Sequence, residues 1–248
     1  MQPPVFYAPP ECRVEGMIHL PESEARHAAA VLRLVPASTV IVIDGLGTAC
    51  RGELVEVSRR KATVRVHAEH RNFGEPGVRL TLAAGMSTGD KFDSVVQKGT
   101  ELGVKRFVPI LAEKSKVTVT DPGRARTRVR RLEKVALAAA KQCRRAYRPE
   151  IALPTDFLKF LGEQDEESLK LLFHTGSDAV PFQSVDLAAD TRRVTLLVGP
   201  ESGFSDDEAR QARQAGFRQV ALGARILRTE TAGPVAVALV MQRLGEFS

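Results

Sequence analysis

The sequence predicts an α/β protein in which a β-rich N-terminal module precedes a mostly parallel sheet covered by helices. The first ~72 residues contain the short segments "TVIVID", "CRGELVEV" and "KATVRVHAEH", which are typical of strands. The segment 71–77, "RNFGEPG", has two glycines and a proline and predicts a linker. Beyond it, apolar strand-like runs alternate with helical patterns, and this alternation favours a parallel sheet.

In the N-terminal module, the apolar spacing of "ESEARHAAAVLRL" predicts a helix over 22–34. The segment "DGLG" at 44–47 predicts a hairpin turn between the first two strands, because Asp and Gly readily adopt the conformations that tight turns need.

The second part of the chain predicts six strands and five helices in alternation. The strands are "RLTLAAGM", "RFVPIL", "EIAL", "LKLLFH", "VTLLVG" and "QVALG". The helices are "GDKFDSVVQKGTELG", a basic helix, a small helix near 156–163, the segment after "PESGF", and one that runs to the C-terminus. Ser205 is the predicted N-cap of the fourth of these helices, with Glu208 completing a capping box. For the last helix, Thr229 or Thr231 is the predicted cap, and Pro234 fits the first turn if the cap is Thr231.

Length and composition limit the class of protein. A chain of 248 residues is one large domain or two ordinary ones, and 43% hydrophobic residues suffice for a real core. The N-terminus lacks the pattern of a signal peptide, and no apolar run approaches the ~20 residues that span a bilayer. Cys12, Cys50 and Cys143 lie far apart without a CxxC pair. We therefore expect a cytoplasmic protein without a disulfide framework or a zinc site.

Positive charge is concentrated in one segment. The net charge is +6, and the segment 124–148 holds ten Lys and Arg residues against one acid, Glu133. Apolar residues recur within it at helical spacing: Val129, Leu132, Ala136, Ala139 and Cys143. The pattern predicts a helix with one buried stripe and a cationic outer face. That face is either an ordinary solvated surface or, as the lopsided charge favours, a surface that contacts phosphates.

Three polar segments follow predicted strands: "FHTG" (173–176), "GPESGFS" (199–205) and "LGARILRTET" (222–231). Ligands of open α/β sheets bind beyond the carboxyl ends of strands, so we expect a binding site here. Neither a Walker loop nor a GxGxxG fingerprint is present. The spacing of Arg225 and Arg228 predicts a shared face of one helical turn, with Ile226 and Leu227 turned inward. In the alternative interpretation, both arginines pair with acidic residues and only hold the loops together.

Longer motifs resemble one family. "LLVGPESGFSDDE" and "GFRQVALGARILRTETA" are similar to the signature of RsmE-type 16S rRNA (uracil-N3)-methyltransferases, which belong to the SPOUT class. "DKFDSVVQKGTELGV" and "KVALAAAKQCRRAYRPEI" resemble further segments of the family, and "HAAAVLRL" with "IDGLG" resembles its N-terminal module. The resemblance extends over nearly the whole chain.

The resemblance implies a PUA-like, RNA-binding β-barrel over 1–72 and a SPOUT methyltransferase domain with a trefoil knot over 76–248. It also implies a homodimer that uses S-adenosyl-L-methionine to methylate N3 of a uridine in the 16S rRNA of the 30S subunit. A sulfonium methyl group is already electrophilic, so no metal is expected, and no membrane partner is expected either. The sequence leaves two other interpretations open: a non-catalytic RNA-binding or ribosome-assembly factor, and a methyltransferase that acts on a ribose 2′-OH.

The resemblance and the three loops together predict the site residues. The predicted cofactor-binding residues are Phe173, His174, Val198, Gly199, Pro200, Glu201, Gly203, Leu222, Gly223, Ile226, Leu227 and Thr231. The predicted catalytic residues are Arg228 and Arg225, which would stabilise a uracil anion, and Glu201 and Glu230, either of which could be the base. The predicted RNA-binding residues are Arg33, Arg124, Arg126, Arg128, Arg130, Arg131, Arg144, Arg145 and Arg148.

Two positions depart from the family pattern. Ser202 stands where the family usually has glycine, and a serine would be strained there if the position needs a positive φ. Gly233-Pro234 replaces the usual helix formers, which predicts that the last helix begins slightly later.

Overall fold

The computed structural model describes residues 2–87, 90–115, 121–176, 178–188 and 190–247. The chain forms two compact units. The first comprises residues 1–75 and 137–148, and the second comprises residues 76–136 and 149–248. Residues 137–148 thus pack with the first unit, although the sequence places them in the second domain. The domain limits of 1–72 and 76–248 stay a prediction.

The first unit is built on a six-stranded sheet. Its elements are β1 (Val5–Tyr7), β2 (Arg13–Val14), β3 (Met17–His19), α1 (Glu22–Arg26), β4 (Thr39–Ile43), β5 (Thr48–Val57) and β6 (Ala62–Arg71). The strand order is β1-β4-β5-β6-β3-β2, with a parallel pair between β1 and β4 and antiparallel pairs elsewhere. The three predicted strands are therefore confirmed as β4, β5 and β6. The helix predicted over 22–34 is shorter in the structure. The α-helix α1 ends at Arg26, and a π-helical turn follows it over His27–Val31.

The turn between β4 and β5 is the predicted hairpin. The Asp44 carboxylate accepts hydrogen bonds from the backbone N–H groups of Leu46 and Thr48, at 2.7 and 2.9 Å. Farther along β5, the register to β6 shifts between Arg51 and Gly52. A Cβ at Gly52 would lie 2.1 Å from the carbonyl oxygen of Arg65, so only glycine fits at this bulge.

The second unit contains a parallel sheet. Its strands are β7 (Arg79–Gly85), β8 (Arg106–Leu111), β9 (Glu150–Ile151), β10 (Thr155–Asp156), β11 (Leu169–Phe173), β12 (Val180–Pro181), β13 (Arg193–Val198) and β14 (Arg218–Ala221). The order is β10-β8-β7-β13-β11-β14-β12, with β9 also pairing with β8, and every described pair is parallel. The predicted mostly parallel sheet is confirmed.

Helices cover both faces of this sheet. They are α2 (Lys91–Glu101), α3 (Pro122–Cys143), α4 (Phe157–Gly162), α5 (Asp206–Gln214) and α6 (Thr229–Arg243). One hydrophobic core joins α2, α6 and part of α3 to residues such as Leu80 and Leu82, whereas the other joins α4 and α5 to residues such as Ala83 and Leu197. Because successive strand residues point to opposite faces, the continuous apolar runs of β7 and β13 fill both cores.

Two predicted helix limits are wrong. The basic helix ends at Cys143 rather than reaching Arg148, and Arg144 has a left-handed φ of 64°. The last helix begins earlier than predicted: Arg228 is its N-cap, and Pro234 lies inside it. Proline has no N–H group to bond to the carbonyl of Glu230, so the helix tolerates one missing bond near its start.

Candidate active site

Three loops meet at the carboxyl ends of neighbouring strands. β13, β11 and β14 are adjacent and parallel, so the segments that follow them emerge at the same edge of the sheet. They enclose a cavity of about 280 Å³. It is lined by Phe173, His174, Thr175, Val198, Gly199, Pro200, Glu201, Ser202, Gly203, Phe204, Val220, Leu222, Gly223, Arg225, Ile226, Leu227, Thr229 and Ala232. The three segments that the sequence singled out therefore line one cavity.

The loop after β13 is held by close backbone contacts. A Cβ at Gly85, the last residue of β7, would lie 2.2 Å from the nitrogen of Pro200, so glycine lets this loop pack on the neighbouring strand. The positive φ falls on Gly203, at 69°, and Ser202 is not among the residues with positive φ. The strain considered for Ser202 does not arise. Its hydroxyl instead donates a hydrogen bond to the carbonyl of Lys114, at 2.8 Å.

The helix after this loop begins as predicted. The Ser205 side chain accepts a hydrogen bond from the backbone of Glu208, and the Glu208 carboxylate accepts one from the backbone of Ser205. The second carboxylate oxygen of Glu208, a residue 6% exposed, accepts a bond from the N–H of Glu113 at 2.8 Å. One buried carboxylate thus ties the start of α5 to the loop after β8. The sequence pattern predicts the capping box but not this second contact.

The loop after β14 has a different shape from the one predicted. Residues 222–228 form no helix or strand and bend at 224–225, so Arg225 and Arg228 do not share a helical turn. Ile226 is 88% exposed at the cavity rather than turned inward. Gly223 has a φ of 106°, which other residues rarely adopt, and nothing lies within 4 Å of the position of its missing Cβ.

Thr229 connects the two loops. It is the first residue of α6 and is 3% exposed, and its hydroxyl donates a hydrogen bond to the carbonyl of Gly199 at 3.2 Å. Thr231, predicted as a cofactor contact, is exposed and does not line the cavity. Thr229 and Thr231 were the predicted caps of this helix, and both predictions are wrong because the cap is Arg228. Thr229, the first residue of the helix, lines the cavity.

The four predicted catalytic residues divide into two pairs. Glu201 and Arg225 line the cavity, and the Glu201 carboxylate forms an ion pair with Lys91. Arg228 and Glu230 do not line it; their side chains are 82% and 22% exposed, with 4.0 Å between guanidinium and carboxylate. The partner of Glu201 lies far away in sequence, so the pattern alone could not identify Lys91.

His174 is the titratable residue after β11. Burial lowers the pKa of its imidazole below the ordinary value of 6.5; Asp206 opposes this effect and Lys114 adds to it. The ring is therefore neutral near pH 7 and can donate or accept a hydrogen bond at the cavity wall. Among the described residues, no group of three or more His, Cys, Asp and Glu side chains could hold a metal ion.

The nine predicted RNA-binding arginines differ in accessibility. Six have exposed side chains: Arg33, Arg124, Arg126, Arg130, Arg131 and Arg148. Arg131 already pairs with Asp90 and Asp93, and Arg144 donates to the carbonyl of Pro3. Arg128 is half-buried; it donates to the carbonyl of Ser87, and burial lowers its pKa.

The prediction for Arg145 is wrong. Its side chain is 3% exposed and forms a salt bridge of 2.9 Å with the 2% exposed Glu75. Glu75 also accepts a hydrogen bond from the backbone of Tyr147. A guanidinium enclosed in this way stabilises the first unit and cannot reach a phosphate group.

No helix in the described residues is long and apolar enough to cross a membrane.

Comparison with known proteins agrees with this architecture. Residues 74–241 match the RNA methyltransferase domain family, and residues 20–66 match the RNA methyltransferase PUA domain family. The chain is 30% identical to the ribosomal RNA small subunit methyltransferase E of Synechocystis over 234 residues, covering 93% of this chain and 75% of the relative. It is 29% identical to the protein of the same name from Bacillus subtilis, covering 88% and 86%.

A solved structure matches the whole fold. The ribosomal RNA small subunit methyltransferase E of Neisseria gonorrhoeae, bound to S-adenosyl methionine, superposes with a TM-score of 0.89 and 31% identity, covering 100% of both chains. The N-terminal unit thus corresponds to a PUA domain and the parallel sheet to a methyltransferase domain. The chain belongs to the ribosomal RNA small subunit methyltransferase E family.

Proposed function

We propose that this protein transfers a methyl group from S-adenosyl-L-methionine to N3 of a uridine in the 16S rRNA of the small ribosomal subunit. The observation that carries the proposal is the cavity that the three strand-end loops form in a chain of this family. The similar structure from Neisseria gonorrhoeae binds the same methyl donor, and the relatives are named as methyltransferases of small-subunit ribosomal RNA.

The cavity suits this cofactor. Its volume of about 280 Å³ is close to the lower end of the range for small-molecule sites, roughly 300–1,000 Å³. Phe173, Val198 and Leu222 offer apolar surface for an adenine ring. Gly199 and Gly223 leave backbone groups accessible for hydrogen bonds to the polar parts of the molecule. When bound, the cofactor supplies a methyl group that is electrophilic without a metal.

The residues of the chain must make the uracil reactive. N3 of uracil carries a proton, and its removal leaves a negative charge that spreads onto O2 and O4. We assign the stabilisation of this charge to Arg225, which lines the cavity, and to Arg228, whose side chain is 82% exposed and only loosely paired with Glu230, at 4.0 Å. A guanidinium beside a carbonyl oxygen of the base favours the anion, because opposite charges attract strongly where water is excluded.

Two carboxylates remain candidates for the proton acceptor. Glu201 lines the cavity but is paired with Lys91. Glu230 lies in the first turn of α6, and its Oε2 atom is buried without a hydrogen-bond partner among the described groups. Glu201→Gln and Glu230→Gln distinguish them: the variant that lacks the base should lose the dependence of the methylation rate on pH.

The substrate must approach with its uridine unpaired, because N3 lies on the Watson–Crick edge. We propose that the exposed arginines of α3, with Arg33 and Arg148, contact phosphates and orient the RNA. Arg128 and Arg145 are not among these contacts, because their guanidinium groups bind groups within the protein.

We also propose the homodimer and the trefoil knot that the family resemblance implies, and the cytoplasmic location that the cysteine usage predicts. Light scattering coupled to size-exclusion chromatography tests the dimer: it should give twice the chain mass of 27.0 kDa. A mass of one chain would contradict it.

The test of the activity is methyl transfer to purified 30S subunits from a tritiated donor. We expect incorporation into 16S rRNA by the wild type. Gly223→Val should prevent it, because valine is strained at a φ of 106° and would shift the loop that lines the cavity. Calorimetric titration with S-adenosyl-L-methionine separates an enzyme from a non-catalytic RNA-binding factor, which would show no binding of the donor.

A further inference from the structure

A second cavity lies entirely within the first unit. Its volume is about 210 Å³. This is smaller than the roughly 300–1,000 Å³ of typical small-molecule sites, so it suits one ring system rather than a whole cofactor. None of the residues predicted as cofactor contacts lines it. A ligand of this cavity would therefore be a different molecule, or a different part of the substrate, from the one bound at the strand-end loops.

The pairing of the strands builds this cavity. Ile41 of β4 lies opposite Arg51 of β5, and Ala49 of β5 lies opposite His70 of β6. Residues two apart in a strand point to the same face, so Ala49 and Arg51 share one side of the sheet. Ile41 and Ala49 are 8% and 1% exposed and form an apolar floor, while Arg51 and His70 are exposed at the rim.

An aromatic ring is fixed beside this floor. Phe73 lines the cavity, and its ring lies 6.1 Å from that of His70, measured between centroids. The backbone of Phe73 is held on both sides: its N–H donates to Gly47, and its carbonyl accepts from Ala146 at 2.9 Å. A ring anchored in this way can stack on a flat ligand with little loss of conformational freedom.

Two guanidinium groups complete the cavity. Arg144 lines it and donates to the carbonyl of Pro3 at 2.9 Å, which fixes the direction of its side chain. A Cβ at Gly74 would lie 2.5 Å from the carbonyl oxygen of Arg144. The backbone of Gly74, the residue after Phe73, therefore packs closely against the backbone of Arg144. Arg51 provides the second cation, and no acidic side chain is among the described residues that line the cavity.

We propose that this cavity binds one unpaired base of the RNA substrate, stacked on Phe73 and flanked by His70, whose ring is tilted by 40° to that of Phe73, with the adjacent phosphates at Arg51 and Arg144. Flat aromatic surface together with cations is how proteins recognise single-stranded nucleic acid, since every base has a stacking face and every nucleotide an anionic phosphate. The inference rests on the proposed function, because it assumes an RNA substrate. It adds a binding subsite for a nucleotide other than the methylated uridine.

The test measures the binding of a fluorescein-labelled decamer of uridines to the full-length protein by anisotropy, without a methyl donor. Phe73→Ala should weaken binding about tenfold, within the range for loss of one stacked base. Phe73→Tyr keeps the ring and should bind within about twofold of the wild type. An otherwise identical decamer of abasic ribose phosphates should bind the wild type and Phe73→Ala equally, because only the base contacts the ring.

Variants of exposed residues test the proposal even if Phe73→Ala does not fold. Arg51→Ala and His70→Ala should each weaken binding at least about threefold. Arg60→Ala, which removes the same charge from the turn between β5 and β6, should change it less than twofold. Equal binding by Arg51→Ala, His70→Ala and the wild type would overturn the inference, as would equal weakening by Arg60→Ala.

The outcome is separable from that of the proposed function. If the wild type methylates 30S subunits but its binding of the decamer does not depend on Arg51, His70 or Phe73, only the subsite is wrong. If binding depends on these residues but no methyl group enters 16S rRNA, the subsite stands and the proposed activity fails.

Discussion

The hydroxyl of Thr229 donates a hydrogen bond to the carbonyl oxygen of Gly199, with 3.2 Å between the two oxygen atoms. Gly199 follows β13, and Thr229 opens the helix that follows β14. This partly buried bond joins the loops that carry "GPESG" and "LGARILRTET", so the positions of their cavity-lining groups depend on each other.

Loss of this hydroxyl should weaken binding of the methyl donor. Thr229→Val keeps the shape of the side chain but leaves the Gly199 carbonyl without its donor. We expect the dissociation constant of S-adenosyl-L-methionine to rise about fivefold to tenfold, equivalent to about 1–1.4 kcal/mol. Calorimetric titration measures it, and Thr229→Ser, which retains the hydroxyl, is the matched control. An unchanged affinity for Thr229→Val would show that the bond does not shape the site.

Arg228→Ala should remove catalysis while leaving the cofactor site intact, because its guanidinium does not line the cavity. We expect the single-turnover rate of methyl transfer to fall about 100-fold, as for loss of one group that stabilises a developing anion. The affinity for the methyl donor should change less than about twofold. Arg210→Ala, on the exposed surface of α5, is the control. A transfer rate near that of the wild type would remove Arg228 from the mechanism.

Breaking the pair between Arg145 and Glu75 should destabilise the first unit strongly. Glu75→Gln leaves a guanidinium that is 3% exposed without its counter-charge, which typically costs about 3–5 kcal/mol. Urea denaturation followed by circular dichroism measures the change. Glu69→Gln, which breaks the exposed ion pair with Arg13, should have little effect. Similar effects of the two substitutions would contradict the buried role of Arg145.

The protonation of His174 should make stability fall in acid. Because burial lowers its pKa in the folded chain below 6.5, the unfolded chain binds more protons at this residue as the pH falls through that value. The penalty is absent well above pH 6.5 and complete below the lowered pKa. The free energy of unfolding should therefore decrease more between about pH 7.5 and about pH 5 for the wild type than for His174→Gln. Urea titrations at both pH values decide; equal decreases would mean that His174 does not titrate in this way.

Ser202→Gly should not stabilise the protein, although it restores the family's usual residue. Ser202 has no positive φ to relieve, and glycine would lose the bond to the Lys114 carbonyl. We expect a loss of about 0.5–1.5 kcal/mol in the free energy of unfolding. Thermal denaturation measures it, with Ser202→Ala separating loss of the bond from added backbone freedom. A higher stability for the glycine variant would show hidden strain at this position.

The sequence predicted the sheet and the meeting of the three loops at one cavity, because both depend on where the strands lie and local periodicity indicates the strands. Apolar runs such as that of β13 are continuous because helices cover both faces, and polar loops after parallel strands must meet at one edge. The capping box at Ser205 was predictable for the same reason: its partners lie three residues apart.

Contacts between distant segments could not be predicted in this way. Arg145 looked like part of a cationic surface, but it is buried and pairs with Glu75, 70 residues away. The start of α6 was predicted too late because proline usually lies in the first turn of a helix. In the structure the helix begins at Thr229, whose hydroxyl contacts Gly199, and Pro234 lies farther inside. Ile226 was predicted to point inward because a helical turn was expected there. The segment forms no helical turn, and Ile226 is exposed.

The most direct test of the central claim is to identify the nucleoside that the protein modifies. Purified 30S subunits are incubated with the protein and S-adenosyl-L-methionine, and the 16S rRNA is digested and analysed by mass spectrometry. We expect 3-methyluridine at a single position, absent when Arg228→Ala replaces the wild type. A methyl group on a ribose 2′-oxygen, or no methylated nucleoside at all, would contradict it.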